Sequence, residues 1–144
     1  MNQVPDFLSR IKERERGTLP NFLGFEWTRV EPGIAEGYFE VKRQHFAANG
    51  FLHAGTVVTL ADSACGYGCV SSLPEGATGF ATLEIKSNFL GTARDGIVKV
   101  VAELVHGGRS TQVWDAIVTT TRDGAELTIA LFRCTQQLLY PRPK

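Results

Sequence analysis

A chain of 144 residues, 43% of them hydrophobic, is long enough to bury a core and short enough to form one compact domain. Fifteen basic residues balance fifteen acidic ones, so no global field attracts a polyanion and nucleic acid is not an expected partner. The charged stretch from Met1 to Arg16 lacks the apolar run of a secretory signal, and no run elsewhere is long enough to span a bilayer, so a soluble cytoplasmic protein is expected.

Phe7, Leu8 and Ile11 have helical spacing and Gly17 follows as a stop, which predicts a short amphipathic helix on the outside of the molecule. Two strands follow, Phe25 to Val30 and Ala35 to Lys42, with Pro32-Gly33 turning between them. Asn49-Gly50 is a strong turn signal inside Gln44 to Leu52. It leads into the longest helix candidate, Gly55 to Ser72, which is apolar on nearly every face and must therefore be buried all round. Gly55, Gly66 and Gly68 each lower its helicity by about 1 kcal/mol relative to alanine, so tertiary packing has to supply the stability.

Four alternating segments complete the chain: Gly79 to Leu90, Ile97 to His106, Ser110 to Thr121 and Glu126 to Leu138. Arg94-Asp95-Gly96, Gly107-Gly108 and Asp123-Gly124 separate them, so the second half reads as an antiparallel meander. The expected fold class is α+β, a curved antiparallel sheet around a long central helix. Residues 1–18 form an N-terminal helical extension and residues 139–144 a fraying tail of a single domain. Cys65, Cys69 and Cys134 lie in apolar runs and read as reduced core residues.

Between Arg43 and Glu75 the only residue charged at neutral pH is Asp62, set among small and apolar neighbours. An unpaired buried carboxylate is costly and usually shifts its pKa or finds partners, which makes Asp62 the first candidate for chemistry. Other residues admit plain readings: His53 as a cap or packing residue before the helix, Asn49 as a turn former, Thr82 as a β-branched strand residue. Cys65 and Cys69 are four apart, but His45, His53 and His106 are not at a zinc spacing, so no metal site is expected.

The run Asn49-Gly50-Phe51-Leu52-His53-Ala54-Gly55, then Leu60-Ala61-Asp62-Ser63-Ala64, then Thr82 to Leu90 resembles the PaaI-like acyl-CoA thioesterases of the hotdog fold, over about Phe25 to Leu138. The resemblance implies hydrolysis of an acyl-CoA, aryl or medium-chain, to free acid and CoA without a cofactor. It implies Asp62 as general base or nucleophile, the Ala54 backbone N–H as oxyanion donor, His53 and Asn49 as orienting residues, and Thr82 as positioner of the water. Helix-terminal N–H groups favour negative charge developing there. Arg94, Arg109 and Gly55 are the candidate contacts to coenzyme A, in a homo-oligomer, dimer or dimer of dimers, whose subunits share each site. Two features depart from the family pattern. His53-Ala54-Gly55 replaces His-Gly-Gly, adding a methyl to the pocket wall, and the spacing from Asn49 to His53 is short. A hotdog enoyl-CoA hydratase or dehydratase and a non-catalytic acyl-CoA-binding module are the alternatives.

Overall fold

The computed structural model describes residues 6–144. Asp6 caps the first helix, α1 (Phe7–Glu15), its Oδ1 accepting the Ser9 N–H at 2.8 Å. Gly17, at φ 76°, ends that helical segment. A four-residue helix α2 (Leu19–Phe22) follows. Strands β1 (Glu26–Glu31) and β2 (Ile34–Glu40) form a hairpin across Pro32-Gly33, and β2 buries Ala35, Gly37 and Phe39 on one face. The apolar run becomes α3 (Ala54–Ser71), and four long strands complete the chain: β3 (Gly79–Phe89), β4 (Ile97–Gly107), β5 (Thr111–Arg122) and β6 (Ala125–Leu139).

The six strands form one antiparallel sheet in the order β1-β2-β4-β5-β6-β3. A continuous meander is therefore not what forms. β4, β5 and β6 are successive hairpins, but β3 pairs with β6, and Arg94-Asp95-Gly96 does not turn β3 back on β4. The reason lies at the strand's end. The Leu90 and Gly91 N–H groups both donate to the Ile129 carbonyl, holding that end on β6, and the following loop delivers Gly96 to β2, where its carbonyl accepts from Val41. Register shifts within the β1–β2, β3–β6, β4–β5 and β5–β6 pairs curl the sheet.

α3 lies in the concave side of this sheet. Close approach is enforced at Gly68, where a Cβ would lie 2.6 Å from the Trp114 ring. Trp114 is fully buried, and its indole N–H donates to Gln112 Oε1 at 2.7 Å while Gln112 Nε2 donates to the Ser72 carbonyl at 2.9 Å. A buried polar chain thus ties the C-terminus of α3 to β5. α1 packs against β1, burying Ile11 and Glu15. The three cysteines are free and buried. No helix among the described residues is long and apolar enough to cross a membrane.

Candidate active site

The N-terminus of α3 is built by a short, heavily bonded loop. Gly50 takes φ 83°, and Asn49 Oδ1 accepts the Phe51 N–H at 3.2 Å, so Asn49 shapes the turn from an exposed position. His45 is buried, with Nδ1 accepting from Lys42 N–H and Nε2 bonded to the Leu23 carbonyl at 2.7 Å. Its own carbonyl accepts from His53 N–H and Thr56 Oγ1, fixing the loop to the first turn of the helix. His53 is the N-cap residue: its Nδ1 accepts the Gly55 N–H at 2.7 Å, which leaves the ring proton on Nε2. The Ala54 N–H has no acceptor among the described residues and lies at an exposed helix N-terminus, where the dipole is positive.

Asp62 lies on the same helix but eight residues further on, about 12 Å along the axis at 1.5 Å per residue. It is half-buried, and its Oδ1 is shielded from solvent without a donor among the described residues. Burial alone raises its pKa above the ordinary carboxylate value. Gly66, one turn later on the same stripe, faces β3: a Cβ there would lie 3.1 Å from the Phe80 ring. Asp62 therefore points along the flank of α3 that looks towards β3 and β6. Ser87 Oγ on β3 and Gln136 Oε1 on β6, both on the concave face, are likewise shielded and without partners. Buried oxygens in this condition call for a donor from water or a ligand. Thr82 lies opposite Gln136 on that face, next to the bulge at Leu83. The thiols of Cys65 and Cys134 meet beneath Asp62, and this contact together with burial drives the Cys65 pKa well up.

The two arginines singled out from the sequence lie far apart. Arg94 places its guanidinium 5.5 Å from the centre of the Phe51 ring, beside the loop that precedes α3. Arg109 lies in the β4–β5 turn, where its carbonyl accepts from Tyr140, three residues before the glutamine that binds the opposite end of α3. The 18-residue helix, about 27 Å long, separates the two levels. The neighbour of Arg94 is instead Arg122, whose Nη2 donates to the Thr92 carbonyl at 3.0 Å. Both arginines line a cleft of about 540 Å³ together with Thr92, whose hydroxyl is buried and has no partner among the described residues. Arg122 was detectable only by aligning the two turns at that end of the meander, since Val98 pairs with Thr120.

Residues 49–126 match the family described as Thioesterase superfamily. The chain belongs to the thioesterase superfamily. Among its relatives, the 1,4-dihydroxy-2-naphthoyl-CoA hydrolase of Listeria monocytogenes is 36% identical over 81% of this chain and 92% of its own length. The crystal structure of a mutant of thioesterase PA1618 from Pseudomonas aeruginosa superposes with a TM-score of 0.84 at 26% identity, covering 97% of this chain and 98% of that one. The Escherichia coli PaaI protein shares the fold, with a TM-score of 0.78 at 23% identity over 91% of this chain and 89% of that one. The six-stranded sheet around α3 is thus the hotdog arrangement, and the thioesterase match includes the α3 loop, Asp62, Thr82, Arg94 and Arg122.

Proposed function

We propose that this thioesterase hydrolyses an acyl-CoA to the free acid and CoA, with Asp62 as general base and the Ala54 N–H as oxyanion donor. Water adds to the thioester carbonyl as Asp62 takes its proton; the tetrahedral oxyanion then collapses, expelling the CoA sulfur, which recovers that proton. The observation that carries the reading is the shielded, unpartnered Oδ1 of Asp62. A carboxylate lacking hydrogen bonds and raised in pKa is a better base than a solvated one.

Asp62 and the Ala54 N–H of one chain, about 12 Å apart along α3, are too distant to act on the same carbonyl. The site is therefore completed by a second subunit. β3 supplies the means: it is an edge strand of eleven residues with Leu83 61% and Ile85 46% exposed, a surface that a lone subunit would not leave bare. Pairing β3 with β3 of a partner brings the partner's α3 N-terminus to the open groove beside Asp62. His53 orients the oxyanion loop, Asn49 shapes its turn, Gly55 lets the substrate approach, and Thr82 lines the groove. The cleft of Arg94 and Arg122 suits the CoA phosphates. Arg109 serves only if the nucleotide reaches the far end of a neighbouring subunit. Aryl-acyl esters are the favoured class, by analogy with the naphthoyl-CoA hydrolase relative. Three free buried thiols fit a reducing cytoplasm.

The test is thiol release from a panel of aryl- and aliphatic-acyl-CoAs with wild type and Asp62→Asn at neutral pH. Turnover that collapses in the variant is the expected result; no release from any ester, or a variant within tenfold of wild type, overturns the reading.

A further inference from the structure

Asp62 Oδ1, Ser87 Oγ, Thr92 Oγ1 and Gln136 Oε1 are shielded from solvent and have no partner among the described residues. A buried oxygen in that state costs stability, so each marks a place where water or a ligand completes the structure. Thr92 belongs to the arginine cleft, whereas the other three face the groove between α3 and the sheet. Whether two of them can serve one reacting centre depends on their levels along that groove.

Two contacts set the levels. The Cys65 thiol of α3 meets the Cys134 thiol of β6, and the Ser72 carbonyl at the end of α3 accepts from the side chain of Gln112, which pairs with Gln136. α3 and β6 therefore run in the same direction. Asp62 stands three residues before Cys65, about 4.5 Å towards the helix N-terminus at 1.5 Å per residue. Ser87 pairs with Phe132, two residues before Cys134, which is about 7 Å in the same direction at 3.4 Å per residue. Helical side chains lean towards the N-terminus, so the Asp62 carboxylate closes most of that difference. Gln136 and Thr82 share a row about 7 Å the other way. Of these groups, Ser87 is the one level with Asp62. The helix offers no free hydroxyl of its own there: Gly66 follows one turn later against the Phe80 ring, and Thr59, three residues earlier, donates its hydroxyl to the Gly55 carbonyl at 2.7 Å.

We propose that Ser87 is a second catalytic residue, whose Oγ accepts one O–H of the attacking water while the Asp62 carboxylate across the groove accepts the other. This assignment rests on Asp62 acting as the base. A carboxylate alone leaves the water free to turn about one hydrogen bond; a second acceptor fixes it with its lone pairs towards the thioester carbonyl carbon, the orientation that a near-attack geometry needs. As the new C–O bond forms, the proton on the Asp62 side passes to the carboxylate. The O–H held by Ser87 stays intact and leaves with the product acid. Collapse breaks the C–S bond, and the sulfur takes the proton from Asp62. Ser87 keeps its own proton throughout and is never acylated. Asp62 Oδ1 and Ser87 Oγ make no hydrogen bond to each other, and the space between them is the water's place.

The test is kcat and KM for thiol release from an acyl-CoA, measured on the full chain for wild type, Ser87→Ala, Ser87→Thr and Asp62→Asn, beside melting temperatures. Ser87→Ala should lower kcat by about tenfold, the scale of one hydrogen bond made in the transition state. Its KM should stay within about twofold, because no ground-state contact to the ester is lost. Its melting temperature should hold or rise, since the variant removes a buried hydroxyl that lacks a partner. Ser87→Thr restores a hydroxyl on the same carbon and should recover most of kcat. A Ser87→Ala kcat within about twofold of wild type, or a loss that Ser87→Thr does not relieve, overturns the assignment of Ser87, and a collapse in Asp62→Asn beside it leaves the base standing. An Asp62→Asn variant within about tenfold of wild type, or a wild type that releases no thiol, overturns the base and Ser87 together.

Discussion

The carboxylates of Glu15 and Asp62 are both drawn away from solvent, and their surroundings are opposite. Glu15, 5% exposed on α1, accepts the Trp27 indole N–H at 2.8 Å and the Tyr67 hydroxyl at 2.5 Å. Tyr67, on the other side of this pair, has its pKa pushed far up by burial and by the Glu15 carboxylate. Asp62, on the groove side of α3, has a shielded oxygen with no donor among the described residues. One helix therefore meets a carboxylate that is satisfied on one flank and carries one that is not on the other. The satisfied group holds α1 to the sheet and to α3. The unsatisfied one lowers stability locally and is poised to take a proton or a hydrogen bond from something that arrives.

Substitutions at the two sites should separate these roles. Asp62→Asn is expected to reduce thiol release by about 10² to 10⁴, the usual contribution of a positioned base. Its melting temperature should not fall, because burial already disfavours the ionised carboxylate. Ala54→Pro comes next: proline has no N–H, suits the first helical position, and tolerates the extended His53 before it at φ −67°, ψ 130°. It should lower kcat by about 10² to 10³ while leaving the fold intact, as loss of one oxyanion donor does. Glu15→Ala should do the reverse, costing about 1–3 kcal/mol of unfolding free energy for each donor left unpaired, with little change in kcat of the folded enzyme. Chemical denaturation beside steady-state kinetics reads both quantities.

The smallest effect is in pH dependence. A base must be ionised, so kcat/KM should fall as pH drops through the Asp62 pKa, and that acid limb should lie above the ordinary carboxylate range. The stability contribution has the opposite sense from that of a salt-bridged aspartate. The folded chain holds this proton more tightly than the unfolded one, so the contribution is fully present below the unfolded pKa and is lost as pH rises through the raised folded value. Asp62→Asn should remove that component, visible in melting curves recorded over the acidic range.

Local features of the fold were legible because local chemistry determines them. The all-apolar run became α3 within one residue of its expected ends, and Gly68 meets Trp114, part of the tertiary packing that a glycine-weakened helix requires. The partner of β3 was not legible, since Asp95-Gly96 reads as a hairpin turn whether or not the strands it joins are neighbours. α2, at four residues, is too short to show a period. At the candidate site, Asp62 stands out as a lone charge in an apolar run. Arg122 does not, because its proximity to Arg94 comes from sheet register. Ser87 and Gln136 on strands, and Glu15 among the charges of an amphipathic helix, carry no pattern that separates them from solvated residues.

The central claim is that each site takes its base from one subunit and its oxyanion donor from another, and mixing two inactive variants tests it most directly. Asp62→Asn and Ala54→Pro chains, refolded together in equal amounts, should regain about a quarter of the wild-type rate, the share of intact sites that random pairing leaves. A mixture no more active than the average of the two variants alone would contradict a shared site.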